Sequence, residues 1–490
     1  MKKKKSAVSG FLTYFYGNFI VLLLGFVQTP LATRLMSTNE YGRTGMFETA
    51  VSCIYIFAIL GMDQAFIRYY YRKDADRQSL LRQCLLPSLG IVSFLICIYL
   101  IFAPQVNHYL FERSGPDITA LVILYTVISV FERFLFLDVR MEQNGKLYSN
   151  INITQKVLNI LLIVVAFRFL GNDFRVVLYA MTLSWGSTTL FLAIRYYLRQ
   201  KRDKGRQRGT VRFSQRELMR YGFPFILILL MEWLLSSCDR VALRTWANYE
   251  ELGIYSAAMK IMVLLITFKN TFLAYWSPVA MEKYENEEEE STKAFFRKAY
   301  NLIRFFCSGL AIGLILFRKV VVLLLGQSYR GADRVIPFLT LMPIYAMMFE
   351  ITVQGIKFQK KNMYLNLASV LAIVSNVAGN ALLVPIFGGI GAAMTTGLSY
   401  LIYFAVGSFF SERVYRVGYD YLRTGLEAAL LIGCAASGAF MENYLVSLAV
   451  CLISTVLICI LERDSIGLIF DYLKNLRHRK AGKQEQSGEM

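Results

Sequence analysis

Several ionisable side chains lie inside long apolar stretches of this sequence. The basic ones are Arg133, Lys156, Lys260, Lys269 and Arg304. At the centre of a membrane-spanning helix a charge costs at least about 2.5 kcal/mol, so each of these residues is a candidate for function. Ammonium and guanidinium groups form charge-assisted hydrogen bonds with phosphate oxygens. The set therefore predicts a cation-lined site for a phosphate-bearing ligand.

Acidic side chains occur in the same apolar stretches. They include Glu48, Glu132, Glu232, Asp239, Glu350 and Glu427. Glu232 and Glu350 are predicted to lie deepest, and with Asp239 they are candidates for coupling transport to an ion. Each could carry a proton or a sodium ion, or could pair with a neighbouring cation, and the sequence leaves these alternatives open. Asp239 and Arg240 are adjacent, so on a helix their side chains point about 100° apart and need not pair.

The elements that must position these residues are predicted from hydrophobicity. Of the 490 residues 56% are hydrophobic, and they cluster in stretches of roughly 20, the length that a helix needs to cross a bilayer. The pattern predicts an all-α integral membrane protein with about fourteen transmembrane helices. Their predicted cores are 11–33, 44–67, 84–103, 118–138, 150–169, 176–194, 222–244, 254–280, 298–317, 335–356, 363–384, 390–410, 422–440 and 443–461.

Charge distribution predicts the orientation in the membrane. The formal net charge is +19, and with both termini cytoplasmic the inner segments hold about 37 Lys and Arg residues against about 11 outside. The outer loop after the ninth helix, with four basic residues, is the main exception. The longest basic stretch, 195–220, is a cytoplasmic linker or a patch that touches anionic lipid. Neither interpretation requires nucleic acid.

Depth in the membrane separates the candidate cations. Arg133, Lys156 and Arg304 are predicted near the cytoplasmic ends of their helices, where long side chains can instead extend to the lipid headgroups. Lys260 is predicted closer to the middle of the membrane, and Lys269 in the inner half of its helix. These two lysines are therefore the strongest predicted ligands for a phosphate group.

Short motifs recur between the two halves of the chain. The turn Glu40-Tyr41-Gly42 is matched by Glu251-Leu252-Gly253, 211 residues later, and Asn150 by Asn366, 216 residues later. The repeat predicts two parallel six-helix lobes around a central cavity. The predicted divisions are an N-lobe at 1–200, a linker at 201–220, a C-lobe at 221–412, two further helices at 413–465 and a cytoplasmic tail at 466–490.

Signals for enzyme chemistry are weak. Asp74-Ala75-Asp76 is a lone D-x-D in a short loop, and no segment between helices exceeds roughly 30 residues, which leaves no room for a catalytic domain. The eight cysteines form no C-x-x-C, and two histidines are too few for a histidine metal site. We therefore predict a protein that is not an enzyme and needs no metal or cofactor.

An ordered set of motifs carries a family resemblance: the turn Glu40-Tyr41-Gly42, GMDQAFIRYY at 61–70, YGFP at 221–224, Asp239-Arg240, LGIYSAA at 252–258, and Asn376 with PIFGGIGAA at 385–393. Together they resemble the O-antigen-type flippases, the polysaccharide branch of the multidrug/oligosaccharidyl-lipid/polysaccharide (MOP) transporter superfamily. The resemblance covers nearly the whole chain. It implies two six-helix lobes, a cationic central cavity and two additional C-terminal helices.

The same resemblance implies a function. The expected cargo is an undecaprenyl-pyrophosphate-linked oligosaccharide, which moves from the inner to the outer leaflet of the bacterial cytoplasmic membrane by alternating access for cell-surface polysaccharide export. Partners would be membrane lipid and a polysaccharide polymerase or glycosyltransferase complex. A cation-coupled multidrug exporter and a lipid II flippase are the alternatives. The arginine cluster of the lipid II branch has no clear match, since Arg34, Arg43 and Arg68 lie near helix ends.

Overall fold

Helices form almost all of the regular structure in the part of the chain that the computed structural model describes, residues 7–72, 75–202 and 211–467. The side chains of 7–16, 18 and 274 lie outside this description. Also outside this description are Asp74 of the D-x-D, residues 203–210 of the predicted linker, the basic N-terminus and most of the predicted tail. The helices are α1 (Ala7–Leu35), α2 (Thr38–Ile59), α3 (Met62–Tyr69), α4 (Arg77–Phe111), α5 (Pro116–Met141), α6 (Gly145–Leu170), α7 (Arg175–Arg202), α8 (Gln215–Trp246), α9 (Tyr249–Asn286), α10 (Glu289–Leu316), α11 (Arg318–Val321), α12 (Ala332–Thr352), α13 (Gln354–Phe358), α14 (Met363–Val414), α15 (Tyr421–Phe440) and α16 (Tyr444–Leu461).

Ten of these helices are long and apolar enough to cross a membrane, and α2 with α3 makes an eleventh if the pair is one bent span. Every predicted core except 44–67 falls on a helix to within a few residues. The prediction of an all-α, multi-pass membrane protein is confirmed. The count of fourteen spans is consistent with the helices and stays a prediction.

The second predicted span is broken. Residues 44–67 were expected to form one helix, but α2 ends before Leu60, and α3 leaves at an angle of 52° to it. Leu60 and Gly61 both adopt left-handed backbone conformations, with φ of 53° and 66°. The break places the short helix α3 against α8 and α4.

The helix α14 folds back on itself. Its 52 residues would extend about 78 Å as one straight helix, more than twice the thickness of the hydrocarbon core. At Gly388 the backbone is not helical, with φ 54° and ψ −129°. The Ser375 hydroxyl donates to the Ser399 hydroxyl at 3.4 Å, which two residues 24 apart on one straight helix could not do. The two arms match the separate predicted spans 363–384 and 390–410.

The chain separates into two units, each packed on its own. Unit 1 contains residues 1–260 and 324–329, and unit 2 contains 261–323 and 330–490. In unit 1, α6 packs between α1 and α7, and α2 packs against α4, α5 and α8. In unit 2, the largely buried α12 packs against α10, α14 and α15. The predicted six-helix repeat and its lobe boundaries stay predictions.

Ion pairs hold the start of α2 to the connection between α6 and α7. The buried Glu40 accepts hydrogen bonds from the Phe174 backbone N–H at 2.9 Å and from Arg113 at 3.0 Å. Arg113 and Arg175 also donate to Asp173. Burial alone would raise the pKa of Asp173, but the hydrogen bonds and charges of Arg175 and Arg113 hold that pKa below its ordinary value.

Small residues bring the N-terminal parts of α2 and α9 into close contact. A Cβ atom built on Gly253 would lie 1.9 Å from the backbone oxygen of Thr38, and one on Gly45 would lie 2.7 Å from the Ser256 hydroxyl. No side chain fits in the first of these gaps. The Glu-x-Gly turn that the sequence repeats therefore sets the spacing between two helices that carry candidate site residues.

Replacing Gly253 by alanine should lower the free energy of unfolding by about 1–3 kcal/mol, the usual cost of overpacking, because the Thr38 backbone must move. Gly309→Ala is the matched control, since a Cβ atom on that helical glycine would meet nothing within 4 Å. Thermal unfolding of the two purified variants measures the difference. Equal melting temperatures would contradict the close packing of α2 and α9.

Candidate functional site

A carboxylate and an ammonium group face each other in unit 1. Glu48 lies on α2 and Lys260 on α9, and the Lys260 Nζ atom donates to Glu48 Oε1 at 3.0 Å and to Oε2 at 2.9 Å. The close contact between α2 and α9 places the two residues opposite each other. Both side chains keep partial exposure, 26% for Glu48 and 34% for Lys260. The pair is therefore reachable from outside the helix packing.

Two more cations surround this pair. Arg240 on α8 has its Nη1 atom 3.8 Å from Glu48 Oε2 and 3.4 Å from the Thr49 hydroxyl. Lys156 on α6 is half-buried and interacts electrostatically with both Lys260 and Glu48. We call these four residues, Glu48, Lys156, Arg240 and Lys260, the cation cluster.

The charges of the four residues in the cation cluster do not cancel. Three cations share one carboxylate, which leaves a formal excess of two positive charges. The Nε atom of Arg240 is buried and has no hydrogen-bond partner among the described residues. An uncompensated positive charge and an unused donor are costly away from bulk water. The arrangement is suited to an anion that supplies several acceptor oxygens, as a phosphate group does.

Neighbouring polar residues extend the region around the cation cluster. The Trp233 indole N–H on α8 donates to the Ser52 hydroxyl on α2 at 3.0 Å. Asp239 is fully buried and accepts a hydrogen bond from the Tyr255 hydroxyl, while Arg240 turns toward Glu48. The two adjacent residues Asp239 and Arg240 thus point to different partners, as their spacing on a helix predicts.

Arg133 lies elsewhere in unit 1. Its guanidinium group donates to the Asp63 carboxylate, with the Nε atom at 3.1 Å, and so ties α5 to the first turn of α3. The Asp63 side chain is only 4% exposed. In this structure Arg133 fixes the short helix after the break at Gly61, and it is not part of the cation cluster.

Lys269 belongs to unit 2, where it meets Glu350. Its Nζ atom lies 3.4 Å from Glu350 Oε1, and Lys357 Nζ lies 3.4 Å from Glu350 Oε2. Glu350 thus bridges two lysines on α9 and α13 from its position on α12. These three residues form a smaller basic group with a formal charge of +1. Glu232, the other acid that is predicted to lie deep in the membrane, belongs to unit 1 and has an exposed side chain on α8.

Arg304 is fully buried in unit 2, with a side-chain exposure of 0%. It forms ion pairs with Glu427 on α15 and with Glu462 after α16, and it donates to the Asp420 carbonyl and the Thr424 hydroxyl at 3.2 Å. Ser308 donates to Glu427 at 2.7 Å. In this conformation every part of the guanidinium group faces protein, so Arg304 joins α10, α15 and α16.

Lys260 and Lys156 are predicted site residues, whereas the sequence does not predict that Glu48 and Arg240 join them. Glu48 was noted only as an acid in an apolar stretch, and Arg240 only as a neighbour of Asp239. One signal was present. Glu48 and Lys260 are 212 residues apart, one more than the interval between the two Glu-x-Gly turns, so they would hold nearly equivalent positions in the predicted repeat.

Comparison with known proteins adds evidence independent of these contacts. A family model described as polysaccharide biosynthesis protein matches residues 7–282, more than half of the chain. An uncharacterized membrane protein of Methanocaldococcus jannaschii is 22% identical over 433 residues, which cover 82% of this chain and 83% of that protein.

Solved structures share the fold. The lipid II flippase MurJ in an inward closed conformation aligns with a TM-score of 0.66 and 14% identity, covering 93% of this chain and 100% of MurJ. An inward-facing multidrug resistance MATE family transporter of the MOP superfamily aligns with a TM-score of 0.60 and 19% identity, covering 82% of this chain and 95% of the transporter. The resemblance that the sequence motifs indicate is therefore confirmed: this membrane protein belongs to the polysaccharide biosynthesis protein family and has the fold of the MOP-superfamily transporters.

Proposed function

We propose that this protein is a flippase that moves a lipid-linked, phosphate-bearing sugar across the membrane. The observation that carries the proposal is the cation cluster, in which three cations share the single carboxylate of Glu48. A flippase must hold the charged headgroup of its cargo inside the membrane, where a phosphate would otherwise lose its hydration. Half-buried cations that are only partly neutralised can replace that hydration.

Glu48 acts as an internal competitor for the cargo. Its two oxygens occupy Lys260 as the oxygens of a phosphate would. A diphosphate brings more acceptors and more charge than one carboxylate, so it displaces Glu48 from Lys260 and also engages Arg240, whose Nε atom is unused. When the cargo leaves, Glu48 returns and restores the pair. This exchange keeps the empty site from holding an unpaired lysine inside the membrane.

The finer assignment follows the family resemblance. We propose that the cargo is an undecaprenyl-pyrophosphate-linked oligosaccharide repeat unit. It moves from the inner to the outer leaflet of the bacterial cytoplasmic membrane by alternating access, for export of a surface polysaccharide. Both termini lie in the cytoplasm in this proposal, and the polymerase that consumes the flipped units is the expected partner. Lys269 and Lys357 in unit 2 are candidates for a second contact with the cargo, and Glu232, Asp239 and Glu350 for ion coupling.

Depletion of the protein should cause complete, unpolymerised sugar units linked to polyprenyl pyrophosphate to accumulate on the cytoplasmic face. Extraction of the lipid-linked sugars, combined with a membrane-impermeant reagent that reports which leaflet holds them, measures this outcome. Re-expression of the wild-type chain is the control and should clear the accumulated units. Intact surface glycan with no accumulation would contradict the proposal.

The same experiment separates the two alternatives that share the fold. A multidrug exporter predicts raised drug sensitivity with normal lipid-linked sugars, and the buried Asp239 and exposed Glu232 on α8 are the acids that such an exporter could use. A lipid II flippase predicts accumulation of lipid II and cell lysis. Its cargo carries the same pyrophosphate, so the cation cluster does not distinguish the two flippases, and the identity of the accumulated lipid does.

A further inference from the structure

A basic pocket lies in unit 1, at the helix ends that the predicted topology places in the cytoplasm. It has a volume of about 720 Å³ and lies where α3 ends and α8 begins. We call it the α3–α8 pocket. Its walls are Tyr69, Ser214, Arg216, Glu217, Arg220 and Tyr221. None of these residues belongs to the cation cluster.

The chain before α8 is held in place, so the pocket has a defined shape. The carbonyl oxygen of Val211 accepts a hydrogen bond from the Asp76 backbone N–H at 3.1 Å, and the Gln83 side chain donates to the Phe213 carbonyl at 2.8 Å. Gln215 returns a bond to the Gln83 carbonyl at 2.8 Å. These contacts fix the segment 211–215 against the start of α4.

Aromatic rings form one wall. Tyr69 packs against Phe213 with ring centroids 4.8 Å apart, and against Tyr221 with centroids 5.9 Å apart. Arg72 also lies over the Phe213 ring, with its guanidinium carbon 5.3 Å from the ring centroid. Such packed rings do not collapse into the pocket and leave flat surfaces for a ligand.

The α3–α8 pocket is positively charged, and its two arginines are not neutralised by ion pairs within the described part of the chain. Glu217 is paired with Arg72 at 3.4 Å, so its charge is already matched. Arg216 and Arg220 are exposed and make no ion pair with any residue that the structure describes. Two guanidinium groups one helical turn apart can share one phosphate, because residues four apart lie on the same face of a helix.

Apolar side chains continue the same face of α8 into the membrane. Phe223 and Leu227 lie three and seven residues after Arg220, the spacing of one helix face, and their side chains are 66% and 58% exposed. A ligand whose phosphate lies on Arg220 therefore meets an apolar surface directly below it. A lipid fits this order of charge and apolar surface, whereas a free phosphate would use only the upper half.

We propose that the α3–α8 pocket binds the phosphate headgroup of a membrane lipid, with Arg216 and Arg220 on the phosphate and the chain along Phe223 and Leu227. The site does not depend on the proposed transport. Two lipids offer this chemistry, an anionic phospholipid of the bilayer and a polyprenyl phosphate that carries a sugar. The second would make the pocket a place where cargo waits in the inner leaflet.

Lipid retention by the purified full-length protein, measured by native mass spectrometry, tests the proposal. The probes are phosphatidylglycerol, undecaprenyl phosphate, phosphatidylcholine and inorganic pyrophosphate. The wild-type chain should retain at least one of the two anionic lipids over phosphatidylcholine, and Arg216→Gln with Arg220→Gln should reduce that retention roughly tenfold. Preference for phosphatidylglycerol identifies bilayer lipid as the ligand, and preference for undecaprenyl phosphate identifies a polyprenyl lipid.

Two further variants test whether the effect is specific to the pocket and whether it comes from loss of structure. Lys360→Gln with Lys361→Gln removes the same charge from an exposed loop of unit 2 and should leave retention unchanged. Glu217→Gln removes the one carboxylate in the pocket and should increase retention of the anionic lipid about threefold, a change that loss of structure would not produce. Equal retention by the wild-type chain and the arginine variant would overturn the proposal. So would full displacement of the lipid by equimolar pyrophosphate, since the apolar face would then contribute nothing.

Discussion

Replacing Arg304 by methionine should lower the free energy of unfolding by about 3–5 kcal/mol, the largest stability effect that we expect in this chain. The side chain is fully buried between Glu427 and Glu462. Its removal leaves two carboxylates without their shared counter-charge, and burying such groups unpaired is far more costly than losing packing. Thermal unfolding of the purified variant, or its loss to proteolysis in cells, measures the effect.

Two controls show whether the loss of stability comes from breaking the buried ion network or from removing any arginine of the helix. Arg297→Met on the same helix removes a partly exposed arginine, which pairs with Glu290 and donates to the Val417 carbonyl at 3.0 Å, and should change stability by about 1 kcal/mol or less. A triple variant with methionine at Arg304 and leucine at both Glu427 and Glu462 should recover most of the lost stability, because apolar residues can replace a buried ion network. If the methionine variant is as stable as the wild-type chain but does not transport, the sequence-based prediction that Arg304 binds the cargo would be favoured instead.

The positions of the helices could be predicted from sequence because each apolar stretch has the length that a bilayer imposes. The turn within α14 could also be predicted, since Pro385 and the glycines after it separate two apolar stretches. The break between α2 and α3 could not. It depends on the backbone of Gly61 lying against Gly222 of α8, a contact between residues far apart in the sequence.

The candidate site also contains features that the sequence predicts and features that it does not. Lys260 and Arg304 look alike in the sequence, as single cations in apolar stretches, yet one is partly exposed and the other is enclosed by two carboxylates. The acids that make this difference lie more than a hundred residues from Arg304. Lys156 was expected near a helix end, but it lies close to Lys260 and beside Gly25 of α1, where a Cβ atom would be 3.8 Å from its Nζ atom. Packing between helices decides these roles, and a single sequence does not encode it in any local pattern.

Replacing Lys260 by methionine should reduce binding of a polyprenyl-diphosphate sugar roughly 10- to 100-fold, the loss of one or two charge-assisted hydrogen bonds. The change leaves Glu48 beside Arg240 and lowers the excess charge of the cation cluster from two to one. Binding is measured with the purified protein, and transport by recovery of surface glycan in depleted cells. Lys298→Gln removes one exposed charge from α10 and should have no effect on either measurement.

A double variant decides between a binding and a purely structural role for Lys260. With methionine at Lys260 and glutamine at Glu48, the cation cluster keeps the formal excess of two positive charges that it has in the wild-type chain, so a change in binding reports the Lys260 donors and not the net charge. Lys156 and Arg240 still supply two positive charges, but the ammonium donors of Lys260 are absent, and binding should stay at least tenfold weak. Glu48→Gln alone should bind the sugar lipid more tightly and release it more slowly, because the internal competitor has lost its charge. If the double variant instead binds and transports as the wild-type chain does, the pair only holds α2 to α9, and the cargo must find its cations elsewhere.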